Sequence, residues 1–252
     1  MTSFQLKIIA ILAMTIDHTA NIIAQRRLFP NMPSSLSYVI MSLMNGFGRI
    51  AFPLFAFMIA EGAQKTRSMP RYIGRLALFA LISEPFFYFS HWRNSPTFSG
   101  LFQNIFRLNW GNVFFTLALG AIAIYIYQLL ERKQVKHARF LFIPICLVIT
   151  LIGGYIGCDY GMAGILLIVF LFLAQTKFQK CIVVLAWTAL LYGFGQSYNP
   201  IPFILMDCLF AALSSVFIWF YNGKRGKQVK WSFYIYYPAH LLVLTVIQSV
   251  IR

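Results

Sequence analysis

Acidic residues are scarce in this chain of 252, which carries six: Asp17, Glu61, Glu84, Glu131, Asp159 and Asp207. Only Glu131 falls in an evidently polar stretch; the other five lie inside or at the ends of long apolar runs. A charge near the centre of a membrane-spanning helix costs roughly 2.5–3.5 kcal/mol on insertion scales. Those five carboxyl groups must therefore face a protein interior or a wet cavity, matched by counter-charges. Arg49 sits inside such a run, and His18 and His240 occupy two others. Asp17 and His18 are adjacent, so on a helix they point about 100° apart and cannot pair directly. A carboxylate that orients His18 must come from another helix, with Glu84 and Asp159 as candidates, while Asp17 suits Arg49. A neutral histidine with a fixed ring is a general base for chemistry near neutral pH. The same residues could instead form a structural network in which Arg49 locks carboxylates together, and that alternative stays open.

The elements that must hold these residues follow from composition. Hydrophobic residues make up 60% of the chain and charged residues 11%, far below the quarter or so usual in soluble domains. Too little polar surface remains to cover a soluble fold, which excludes soluble enzymes, disordered regions and disulfide scaffolds. The expected fold class is an all-α polytopic membrane protein, one transmembrane domain over 1–252. Runs long enough to cross a bilayer as helices read as about nine: 5–24, 38–64, 71–90, 112–130, 140–157, 160–175, 180–196, 203–221 and 233–251. The first lacks a small-residue cleavage site after it and reads as a retained helix rather than a removed signal peptide.

Charge placement checks that segmentation. Lys7, Lys65, Arg67, Arg71, Arg75, Arg132, Lys133, Lys136, Arg139, Lys177, Lys180, Lys224, Arg225, Lys227 and Lys230 all fall on one side, 15 of the 21 basic residues. Arg26, Arg27, Arg93, Arg107 and Arg252 fall on the other. The positive-inside rule then puts the N-terminus in the cytoplasm and the C-terminus outside. It also explains most of the net charge of +15 without nucleic acid. On this topology 91–111 is the longest outer connection, able to shape a substrate entrance. Asp17, His18, Arg49, Glu84, Asp159 and Asp207 gather in the outer half of the membrane. Beneath them, Lys65, Arg67, Arg71 and Arg75 form a basic cytoplasmic mouth, read either as plain topology charge or as a site for an anionic cofactor. No metal site is expected. Cys146, Cys158, Cys181 and Cys208 show no zinc or redox spacing, and no Walker, G-x-S-x-G or H-E-x-x-H motif occurs.

Several blocks resemble the TraX family of bacterial membrane proteins. They are Leu6-Lys7-Ile8-Ile9-Ala10 leading to Ile16-Asp17-His18, and Gly48-Arg49-Ile50-Ala51-Phe52-Pro53-Leu54-Phe55-Ala56-Phe57. Further blocks are Ala60-Glu61-Gly62, the run Arg75 to Pro85, Asn112-Val113-Phe114-Phe115-Thr116-Leu117, Asp159-Tyr160-Gly161, and Phe233 to Leu241 with His240. The resemblance covers residues 6 to about 245. It implies pilin N-terminal acetylation or fimbrial assembly as family roles, and kinship with transmembrane acyltransferases that use a histidine in the first helices. It makes Asp17 and His18 the candidate catalytic pair, with Arg49, Glu84, Asn112, Asp159 and His240 as motif polar positions.

The function expected is an integral membrane acyltransferase of the bacterial inner membrane. It would pass an acyl group from cytosolic acetyl-CoA to an amine or hydroxyl of a pilin or another envelope molecule. His18 would deprotonate the acceptor, and Asn112, Thr116 or Arg49 would steady the oxyanion, an effect worth about 3–4 kcal/mol per donor in precedents. Lys65, Arg67, Arg71, Arg75 and His240 would hold the anionic donor. The expected partners are the lipid bilayer and that acceptor, with no nucleic acid; self-association is compatible with the sequence. Two rival readings are a proton-coupled secondary transporter and a non-enzymatic pilus or envelope assembly factor.

Overall fold

The computed structural model describes residues 1–23, 33–91, 97–107, 109–194, 200–227 and 231–250. Arg26, Arg27, Arg93, Lys230 and Arg252, which entered the charge count, lie outside the described residues. Among the described residues 83% are in helix and none is in a strand. The helices are α1 (Ser3–Ile22), α2 (Ser34–Gly48), α3 (Ala51–Lys65), α4 (Met69–His91), α5 (Phe98–Phe106), α6 (Val113–Arg132), α7 (Ala138–Tyr155), α8 (Gly161–Leu173), α9 (Lys177–Thr188), α10 (Ile201–Trp219) and α11 (Ser232–Val250). A π-helical stretch, Ala189–Phe194, continues α9.

Local chemistry sets the helix starts. Thr2 and Gln5 form a capping box on α1, with Thr2 Oγ1 accepting from the Gln5 amide at 3.3 Å and Gln5 Oε1 accepting from the Thr2 amide at 2.8 Å. Thr176 and Gln179 repeat that arrangement on α9. The first amides of α1 find further acceptors far along the chain, Ser3 N–H on Lys224 O at 2.9 Å and Phe4 N–H on Arg225 O at 3.2 Å.

Among the described residues six stretches are long and apolar enough to cross a membrane: Ser35–Lys65, Met69–His91, Val113–Arg132, Ala138–Tyr155, Ile201–Trp219 and Ser232–Val250. The chain is therefore a multi-pass membrane protein. Of the nine spans expected, those at α1, α8 and α9 are helical but fall short of these six in apolarity or in length. Charged Lys7 and Asp17 dilute α1, and α8 has only 13 residues. The expected span 38–64 contains a break: α2 ends at Gly48 and α3 begins at Ala51, leaving Arg49 and Ile50 between them. The connection 91–111, expected as a loop, contains α5, capped by Thr97 Oγ1 on the Gly100 amide at 3.1 Å.

Contacts divide the chain into two compact units. The first holds Met1–Phe55, Phe89–His91 and Thr176–Arg252; the second holds Ala56–Tyr88 and Trp92–Gln175. In the first unit α1 packs on α2 and α11, and α10 packs on α2 and α9. In the second, α6, α7 and α8 enclose Ala123, Tyr127, Phe142, Cys146, Ile149, Ile165 and Val169. A Cβ on Gly120 would lie 2.6 Å from Ile168 Cδ1, so only glycine lets α6 and α8 approach this closely. Small residues at such crossings are the usual route to tight helix packing in lipid, where apolar burial alone gives little drive. The turn expected around Gly157, Cys158 and Asp159 joins α7 to α8, with left-handed backbone at Gly157 (φ +68) and Tyr160 (φ +59).

Candidate functional site

The first unit builds its polar site where α1 meets α11. Thr15, His18 and Thr19 recur at helical spacing on α1, and Tyr236 and His240 stand one turn apart on α11. His18 Nδ1 lies 2.6 Å from His240 Nε2, and both side chains are buried. His240 Nδ1 donates to the carbonyl oxygen of Tyr236 at 2.9 Å, one turn earlier on the same helix. The Thr15 hydroxyl donates to Ile11 O at 2.7 Å, which leaves its oxygen to accept from the Tyr236 phenol at 2.7 Å. The Tyr236 ring lies against the His240 ring, centroids 5.2 Å apart and 11° from parallel. Tyr237 and His91 complete an aromatic surround, their centroids 6.1 and 5.6 Å from that of His18. At the far end of the pairing Gln248 Nε2 donates to Ile22 O at 2.8 Å.

The ring partner that the structure gives His18 is a second histidine, from the last helix. That places His240, expected among the donor-binding residues, beside His18. Thr15, Tyr236, Tyr237 and His91 were not singled out from the sequence. The available signal was the matching spacing of polar residues, three apart on α1 (Thr15, His18) and four apart on α11 (Tyr236, His240).

A second polar group in the same unit surrounds the α2–α3 break. Arg49 Nε lies 3.4 Å from Asp207 Oδ2 on α10. Its guanidinium also sits 5.4 Å from the centre of the Tyr192 ring, in the π-helical stretch. Asp17 stands one turn before Asn21 along α1 and lies in the field of both Arg49 and Asp207. Gly48 presses on Asp17 so closely that a Cβ there would fall 2.3 Å from Asp17 Cβ. Asp207 is the carboxylate within ion-pair reach of this guanidinium, and Asp17 lies in the same electrostatic neighbourhood. Arg49 is engaged by Asp207, which weighs against it as a free oxyanion donor.

In the second unit Glu84 and Asn112 form a closed clamp. Asn112 Nδ2 donates to Glu84 Oε2 at 2.7 Å and to Ala80 O at 2.9 Å, and its Oδ1 accepts from the Phe114 amide at 3.1 Å. The Gly111 amide donates to Glu84 Oε1 at 3.2 Å. Both amide hydrogens of Asn112 are spent, and Asn112 is fully buried. In this structure its side chain caps α6 and ties it to α4. Thr116 is similarly committed, since its hydroxyl donates to the Asp159 carbonyl. The polar residues expected as one cluster belong partly to the first unit and partly to the second.

The four basic residues of the expected mouth also belong to the second unit. Lys65 pairs with Glu61 at 2.8 Å, one turn apart. Arg67 and Arg71 are exposed. Arg75 lies with its guanidinium 5.9 Å from the Tyr72 ring centre, and its Nε is buried without a hydrogen-bond partner. Among the described residues no group of three or more His, Cys, Asp or Glu side chains could hold a metal ion.

Fold and site together define a helical multi-pass membrane protein whose apolar segments enclose a paired histidine. A family model described as "TraX protein" matches residues 3–248, and the chain belongs to that family. It is similar to a protein of Dichelobacter nodosus named "Probable fimbrial assembly protein FimC, serogroup H1", 30% identical, the match covering 96% of this chain and 94% of that protein. No solved structure matches.

Proposed function

We propose that the chain is an integral membrane acyltransferase that moves an acetyl group from cytosolic acetyl-CoA to an amine or hydroxyl of an envelope acceptor, a pilin N-terminus among the candidates. The observation that carries this reading is His18: buried in an apolar helix, its ring fixed at 2.6 Å by His240, its second nitrogen engaged by no described residue. A ring so held serves proton transfer better than packing, for which an apolar side chain would be cheaper to bury. Membership of the TraX family and the fimbrial name of the Dichelobacter relative support an acceptor in the cell envelope.

Atoms balance as follows. The acceptor nitrogen or oxygen bonds to the thioester carbonyl carbon while His18 Nε2 takes its proton. The C–S bond then breaks, and the proton leaves with the CoA thiolate. Arg67, Arg71 and Arg75 are the cations proposed for the phosphates of CoA, with Lys65 already shared with Glu61. In the orientation proposed, the N-terminus and the basic loops face the cytoplasm, the chain crosses about nine times, and the C-terminus lies outside.

The test is saturable acetyl-CoA binding to the full-length protein in lipid nanodiscs, together with slow release of free CoA. His18→Ala is expected to abolish release while leaving the acetyl-CoA dissociation constant within about twofold. Absence of saturable binding sinks the enzyme reading. The name of the relative favours a second reading, a non-enzymatic assembly factor. Full complementation of a deletion strain by His18→Ala would select that reading.

A further inference from the structure

We propose that His240 is a positioning residue that fixes the tautomer of His18, holding a proton on His18 Nδ1 so that Nε2 is the basic nitrogen. The inference rests on the acyltransferase reading for its consequence, but the tautomer follows from geometry alone. A carbonyl oxygen can only accept, so the 2.9 Å bond from His240 to Tyr236 O requires the hydrogen on His240 Nδ1. Neutral His240 then presents a lone pair at Nε2. Two ring nitrogens 2.6 Å apart need a proton between them, and the one that can supply it is His18 Nδ1. Neutral His18 is left with its lone pair on Nε2. The bond made by one ring nitrogen thus decides what the other does.

The rest of the surround holds this relay in register. Tyr236 contributes three times: its carbonyl ends the relay, its ring lies 5.2 Å from that of His240, and its phenol ties α11 to Thr15 of α1. Tyr237 stands edge-on to both histidines, 5.4 Å from His240 and 6.1 Å from His18 by centroid. During transfer the acceptor's proton enters at His18 Nε2 and leaves with the thiolate. The Nδ1 proton stays in the bond between the two rings, and His240 ends the cycle unchanged. The imidazolium formed in between is steadied by the His240 lone pair, the service a carboxylate gives in serine hydrolases. Here a neutral partner gives it, so no unpaired charge is buried between catalytic events.

The chain has four histidines, so nitrogen-15 labelling of histidine in the full-length protein in nanodiscs gives resonances assignable by single substitutions. The expected spectrum at neutral pH shows His18 protonated at Nδ1 and bare at Nε2. His240→Ala should introduce the opposite tautomer of His18. His240→Gln, whose side-chain oxygen can stand where Nε2 stood, should restore the original one. A wild-type His18 protonated at Nε2, or a tautomer unmoved by His240→Ala, overturns the proposal.

In the activity arm His240→Ala should lower kcat for CoA release by about 10–100-fold, the usual scale for loss of an orienting partner. KM for acetyl-CoA should stay within about twofold, and His240→Gln should recover most of the rate. Equal losses in both variants with the tautomer intact would assign His240 to packing. If the wild type releases no CoA, the acyltransferase reading fails, yet the nitrogen-15 spectrum still decides whether His240 sets the tautomer.

Discussion

Gly48 shows how one absent methyl group decides where charges meet. A Cβ at that position would fall 2.3 Å from Asp17 Cβ and 2.5 Å from Asp17 Oδ1. The nearer of these is the root of the side chain, which cannot swing away without moving α1. Gly48→Ala must therefore part α1 from α2 or displace Asp17 from the field of Arg49. Overpacking of this kind costs about 1–3 kcal/mol. Gly74 on α4 is the matched control, because a Cβ there meets nothing within 4 Å; Gly74→Ala should be neutral or stabilise by up to about 1 kcal/mol through helix propensity. Thermal unfolding in detergent should show a lowered midpoint for Gly48→Ala alone. Equal midpoints would mean that α1 and α2 do not press together at Asp17. At this scale the sequence is informative about which residues matter. Asp17, His18, Arg49, Asp207 and His240 announce themselves because ionisable groups are expensive in lipid. Their pairings are not legible, because His18 finds its partner 222 positions away and nothing local encodes that meeting.

Helix ends carry more of the architecture than apolar periodicity does, and Asn112 is the clearest case. It caps α6 through Phe114, anchors α4 through Ala80 O, and donates to Glu84. At an ordinary N-cap asparagine and aspartate are equivalent. Here Asn112→Asp would set a second carboxylate where Nδ2 now lies 2.7 Å from Glu84 Oε2, so it should destabilise more than Asn112→Ala. The alanine variant loses a cap, about 1 kcal/mol, and leaves Glu84 short of a donor at a cost of about 1–3 kcal/mol. The double variant Asn112→Asp with Glu84→Gln should recover most of the loss, since glutamine can donate to the new carboxylate. A thermodynamic cycle over these variants gives the coupling, and a coupling near zero would show that the clamp contributes nothing. Asn112 reads in sequence as a polar residue at the head of an apolar run, which suits a cap and an oxyanion donor equally. Only the full set of its bonds decides, since each of its amide hydrogens is already used. The helix break at Arg49 has the same status: Gly46 and Gly48 hint at it, but hydropathy runs straight through.

The whole chain must also decide how many times it crosses the bilayer, and α7 with α8 is where length and charge disagree. A straight helix rises about 1.5 Å per residue. The 13 residues of α8 therefore span about 20 Å, less than the hydrocarbon core of about 30 Å. Yet Arg132, Lys133 and Lys136 precede α7, Arg139 stands in its first turn, and Lys177 and Lys180 follow α8. The positive-inside rule puts both groups on one side only if the two helices go out and back. Burial makes the proposed crossing physically possible. Ile165, Leu167, Ile168, Val169 and Leu171 of α8 are packed against protein, so lipid need not match its length. A short helix shielded by α6 and α7 can cross where an exposed one of that length would thin the bilayer. Single cysteines placed in a cysteine-free background test this with a membrane-impermeant maleimide on intact cells. Position 155, the exposed last residue of α7, should label from outside, whereas positions 134 and 177 should label only after the cells are opened. Labelling of position 177 in intact cells would mean that α8 does not cross. The side assigned to every loop after it would then reverse, and the C-terminus would lie in the cytoplasm.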